Sequence, residues 1–90
     1  MQTQKDQPQV QGPSGPRRLD ARTWSGPWCL LKIISHLKRL PPGGRLEVWV
    51  KDPMAVAVLP RLLPANDSRL VQTRDHGGYH SFLIQRGRDK

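Results

Sequence analysis

Between residues 45 and 51 the chain alternates strictly. Leu46, Val48 and Val50 are apolar, and Arg45, Glu47, Trp49 and Lys51 stand between them. A period of two sends successive side chains to opposite faces, so this stretch predicts a strand in a sheet covered mainly on one side. Upstream the period changes. Leu30, Ile33, Leu37 and Leu40 recur at i, i+3, i+7 and i+10, one face of an α-helix, with Lys32, Ser35, Lys38 and Arg39 off that face. Ser25-Gly26-Pro27 opens the helix, because proline suits a first turn whose N–H groups have no intrahelical partner. Pro41-Pro42-Gly43-Gly44 closes it, with Lys38 and Arg39 in the last turn complementing the helix dipole.

The same reading covers the rest of the chain. Arg17 to Arg22 predicts a short strand with Leu19 and Ala21 on one face. Asp52-Pro53 reads as an N-cap followed by proline at the first helical position, ahead of an apolar stripe of Ala55, Val58, Leu59 and Leu62. Pro60 interrupts that stripe, so the second helix should be short or kinked, and Pro64, Asn66 and Asp67 close it. Arg69–Arg74 and Tyr79–Arg86 predict a hairpin around His76-Gly77-Gly78. The order β-α-β-α-β-β predicts an α/β two-layer sandwich, a four-stranded mixed sheet with two helices on one face.

Composition adds a boundary. Five Gln, three Pro and two Gly fill ten of residues 1–16, where only Met1 and Val10 are apolar. Such a segment buries too little surface to offset its ordering entropy, so residues 1–16 are expected to be a disordered tail and residues 17–90 the folded domain. The net charge of +8 belongs entirely to the latter, which holds fourteen basic and six acidic residues. It suggests an anionic partner without identifying one. A single cysteine, Cys29, excludes an internal disulfide framework. The longest apolar run, Met54 to Leu59, is too short to cross a bilayer. The Gln-rich start lacks the apolar core of a secretory signal, so the expected location is the cytoplasm, with no membrane partner.

In the order in which they occur, these pieces resemble the TusA/SirA-like small sulfur carriers from residue 18 to about 86. Leu19-Asp20-Ala21-Arg22-Thr23-Trp24-Ser25 is similar to the family's opening Leu-Asp-Ala-Arg-Gly-Leu, which leads into Cys-Pro-x-Pro and a Leu-rich helix. Leu40-Pro41-Pro42-Gly43-Gly44-Arg45-Leu46-Glu47-Val48, then Asp52-Pro53 with Pro60, then Tyr79-His80-Ser81-Phe82-Leu83-Ile84 resemble the later turn, helix and last strand. The resemblance implies the same two-layer sandwich and work in a sulfur relay. In the family the cysteine of Cys-Pro-x-Pro carries a persulfide and passes its sulfur to the next protein. A helix start suits that anion, because free N–H groups and the positive dipole end stabilise it. Here the matching position is Gly26, which has no side chain; Pro27 matches the first proline and Cys29 the second.

Three functions follow as expectations. The first is a non-catalytic protein-binding or regulatory member of a sulfur-transfer network, docking through Arg22, Trp24, Gly26, Pro27, Trp28 and Lys32 around the start of the first helix. The second is a persulfide carrier that uses Cys29, one turn further on; against it, Cys29 adjoins the Leu30/Ile33 stripe, where a lone cysteine tends to be packed and inert. The third is a basic nucleic-acid-binding module, with Trp49 on the polar sheet face as a stacking platform. That tryptophan reads equally as an interface anchor or as a residue partly buried under a loop or the tail. His36, His76 and His80 form no ligand set with Cys29, so neither a metal nor a cofactor is expected.

Overall fold

The computed structural model describes residues 15–87. The expected tail lies outside these, except for Gly15 and Pro16, both exposed. The elements are β1 (Arg17–Ala21), α1 (Gly26–Lys38), β2 (Arg45–Val50), α2 (Pro53–Leu62), a 3-10 turn (Pro64–Asn66), β3 (Ser68–Asp75) and β4 (His80–Arg86). The sheet order is β1-β2-β4-β3, with β1 parallel to β2 and both other pairings antiparallel. This is the two-layer sandwich that the periodicity predicts.

Alternation explains the layers. Leu46, Val48 and Val50 are buried, as are Phe82 and Ile84 on β4. They meet Cys29, Leu30, Ile33 and Leu37 of α1 and Ala55 and Leu59 of α2 in one core. Leu19, Val58, Leu62 and Leu70 pack against its margin. Trimming a fully buried side chain such as Ile33 to alanine would cost about 2–5 kcal/mol, because the cavity closes only in part. The edge strand β3 has exposed polar side chains from Gln72 to Asp75 and a register shift between Leu70 and Gln72, features that discourage pairing with a second sheet.

Local chemistry sets most of the boundaries. The Asp52 carboxylate accepts the Ala55 N–H at 2.9 Å, the expected N-cap. Helix α2 runs two residues beyond Pro60 and is short, ten residues in all. Asp67, in the left-handed region at φ 54°, ends the 3-10 turn. Strand β1 stops one residue earlier than expected. The Asp20 carboxylate takes the Arg22 backbone N–H at 3.1 Å and draws that residue into a turn. Tyr79 likewise leaves β4, because its carbonyl accepts the His76 N–H at 2.8 Å and closes the hairpin.

The far end of α1 is held by β4. Nη1 of Arg86 donates to the carbonyls of Lys38 (2.8 Å) and Leu40. These carbonyls have no partner within the helix, and a guanidinium satisfies them while complementing the negative end of the dipole. The Arg86 backbone N–H donates to Gly44 and its carbonyl accepts from Gly43, so the Pro-Pro-Gly-Gly turn is tied to the same residue. Replacing Arg86→Met keeps the stem and removes these donors. The variant is expected to lose about 1–3 kcal/mol in urea unfolding, with an unchanged slope.

Candidate functional site

Strands β1 and β2 are parallel, and each feeds a helix at its C-terminal end, so α1 and α2 begin at the same edge of the sandwich. The hairpin turn before β4 lies there too, because His80 pairs with Val50. Such an edge gathers loops and helix N-termini, which is why α/β folds place sites there.

At the start of α1 stands Gly26, with φ +63° and open space where a Cβ would be. The space would admit a side chain, but the left-handed backbone opposes one, at about 1–2 kcal/mol for an L-residue. Pro27 follows, exposed. Trp28 is 60% exposed. Trp24 is half-buried, with its ring against the margin of the core. Between the two indoles lies Lys32, its Nζ 5.0 Å from the Trp24 ring centroid and 5.1 Å from that of Trp28. This is cation–π geometry on both sides, and it holds the ammonium over the exposed ring. The next turn is anchored by His36, whose Nδ1 lies 2.8 Å from the Lys32 carbonyl.

Arg22 does not join this group. Its Nε and Nη2 donate to the two Asp20 carboxylate oxygens at 2.9 and 2.8 Å. The guanidinium then lies over Trp49 (4.9 Å) and Tyr79 (5.0 Å) on the outer face of the sheet. The Arg22 side-chain hydrogen bonds, followed by its backbone N–H, hold the Asp20 carboxyl at about 2, below the usual 3.8. Trp49 is half-buried: its Nε1 donates to Glu47 at 2.8 Å, Arg18 approaches its ring at 5.9 Å, and Tyr79 tilts against it at 6.1 Å. Tyr79 in turn stacks on His76 at 4.6 Å. The Arg22 guanidinium and the Tyr79 ring thus both lie against Trp49. A shallow cleft of about 410 Å³ opens beside this cluster, lined by Asp20, Arg22, Thr23, Lys51, Gly78 and Tyr79.

Cys29 faces the other way, into the core, with no exposed surface. Burial pushes its thiol pKa up, and the Asp52 carboxylate adds to the shift. Both effects disfavour the thiolate, the form that attacks sulfur. The structure therefore brings together Trp24, Pro27, Trp28 and Lys32 beside Gly26, and sets Arg22 and Cys29 apart. One exposed neighbour was absent from the sequence reading: Leu31, 63% exposed. Its signal was available, because it lies one turn from Trp28 and opposite the Leu30/Ile33/Leu37 stripe. Among the described residues, no three of His, Cys, Asp and Glu gather as metal ligands would, and no helix is long and apolar enough to cross a membrane.

The sequence is similar to that of known proteins. A family model described as "Sulfurtransferase TusA" matches residues 17–86. The chain is 29% identical over 68 residues to the "Sulfur carrier protein TusA" of Pseudomonas fluorescens (strain SBW25), a match spanning 76% of this chain and 82% of that protein.

The Asp20–Arg22 pair has a pH signature. The folded-state pKa of Asp20 is depressed, so its contribution to stability is present above the ordinary carboxylate value and is lost as pH falls through about 2. A carboxyl NMR titration is expected to place the Asp20 midpoint near that value. In Arg22→Gln the midpoint should return toward 3.8.

Proposed function

The chain belongs to the TusA family, and from that premise we propose that it works in a cytoplasmic sulfur-transfer network as a protein-binding homologue without a persulfide cysteine at the start of α1. The observation that carries this reading is the pairing of an empty helix start with an inward cysteine. Gly26 has no atom that could hold sulfur, and Cys29 has no exposed surface and a raised pKa. What remains at the surface is suited to contact. Trp28, Pro27 and the clamped Lys32 offer an apolar ring with a charge held against it, and an exposed tryptophan is the kind of residue that anchors protein interfaces. The mechanism is docking: a relay protein that meets a TusA-like surface meets this one, and no sulfur passes.

The alternative within the same family is a carrier that uses Cys29. Loading would need the Cys29 thiolate to attack the terminal sulfur of a donor persulfide, forming one S–S bond and releasing the donor as a thiol. In the native fold that attack requires the first turn of α1 to open. Incubation with a small-molecule persulfide followed by intact-mass measurement separates the two readings. The native chain is expected to gain no sulfur, whereas the urea-unfolded chain gains one atom at Cys29 and Cys29→Ser gains none. Gain of one sulfur by the native chain, abolished in Cys29→Ser, would replace docking with carriage.

A further inference from the structure

Resting on that docking reading, we propose that the partner element is an acidic amphipathic helix lying along the outer ridge of α1, from Trp28 to Arg39.

The ridge follows from helix geometry. With Cys29, Leu30, Ile33 and Leu37 turned to the sheet, Trp28, Leu31, Ser35, Lys38 and Arg39 fall on the opposite side, and all five are exposed. At 1.5 Å per residue the ridge is about 16 Å long, three turns, the reach of one short partner helix. Its N-terminal end is apolar: Trp28 and Leu31 are exposed by 60% and 63% and lie one turn apart. Its C-terminal end is cationic, formed by Lys38 and Arg39. Between them stands Ser35, small enough for a second helix to approach closely.

Charge identifies the occupant. Neither α1 nor α2 contains an acidic residue. The carboxylates of the described residues are Asp20, Glu47, Asp52, Asp67 and Asp75, all on strands, caps or turns. Asp20 and Glu47 are paired with Arg22 and Arg18, and Asp75 lies 3.9 Å from His80. Among the described residues no carboxylate comes within ion-pair distance of Lys32, Lys38 or Arg39. A partner helix with apolar side chains over Trp28 and Leu31 and carboxylates over Lys38 and Arg39 would complement both ends at once.

A membrane surface fits less well. An interfacial helix inserts a whole apolar face, and that of α1 is already packed on the sheet. Nucleic acid fits less well too: a base could stack on Trp28, but Leu31 beside it would be left uncovered.

The test uses the full chain and a fluorescent, side-chain-stapled helix of about fourteen residues, long enough for the three-turn ridge. It carries leucines on its first two turns and glutamates on its last two. A second probe replaces the glutamates with lysines. Vesicles containing phosphatidylserine and a single-stranded RNA form two further arms. Anisotropy is expected to show the acidic helix bound at least about tenfold more tightly than the basic one, and weakened by salt. Trp28→Ala and the surface double variant Lys38→Glu/Arg39→Glu should each reduce that binding, with circular dichroism unchanged. Amide shifts on titration should map to residues 28–39. Equal or absent binding of the two helices, shifts mapping elsewhere, or tighter binding of vesicles or RNA through these residues would overturn the proposal. Persulfide loading reads the parent proposal separately. A native chain that takes up sulfur yet binds the acidic helix would lose the non-carrier reading and keep the ridge. A chain that takes up none and does not discriminate the helices would do the reverse.

Discussion

The register of α1 on the sheet is the constraint from which the rest of the molecule follows. A two-layer sandwich this small has one core, and α1 contributes four buried side chains to it, Cys29, Leu30, Ile33 and Leu37. Once those four face inward, every other residue of the helix has its direction. Trp28 and Leu31 must face solvent, Lys32 must lie at the flank, and Trp24 comes within reach of it. The same rotation carries the cysteine into the core, where it has no exposed surface. Sulfur chemistry and core packing therefore compete for one angular position, and packing holds it. The rotation is pinned at the far end by Arg86, a residue of the last strand.

The two surfaces of the sandwich hold their cations differently. On the outer sheet face, two arginines are both paired and stacked: Arg22 on Asp20, Trp49 and Tyr79, and Arg18 on Glu47 and Trp49. This arrangement half-covers Trp49 and gives the exposed side of the sheet a second, polar-aromatic layer in place of helices. On the helical face Lys32 is stacked between Trp24 and Trp28, but no cation there has a carboxylate partner among the described residues. Ion pairs at Arg18 and Arg22 thus engage two carboxylates of the sheet face, and the net charge of +8 is left facing outward.

Much of the fold was legible because it rests on local patterns. The alternation at Leu46, Val48 and Val50, the stripe of α1, the Asp52 cap and the glycine hairpin are all encoded within a few residues of the element they define. The burial of Cys29 followed from its place beside the stripe. What escaped the sequence depends on contacts made through space or through side chains. The Arg86 clip joins residues 46 and 48 positions apart, a separation at which no periodicity speaks. Arg22 looked like a helix-start cation, but its stronger partner was two residues behind it, and Asp20 turned it to the other face of the sheet. The β1 boundary moved for the same reason. Either environment was open for Trp49 from its position alone, since the loop that half-covers it comes from the hairpin turn at Tyr79.

Gly26 bears on how freely the helix start can change over evolutionary time. Its space is open, so crowding does not exclude a side chain; the sign of φ opposes one. Relatives that carry a side chain at the start of this helix must either hold the loop differently or accept strain. A lineage with this backbone therefore gains a reactive group there in one strained step, or without strain only by two, a change of loop conformation and a change of residue. Until both have occurred, the intermediate is less stable than its parent. In a domain with one small core, that asymmetry makes the bare helix start a state that is easier to enter than to leave.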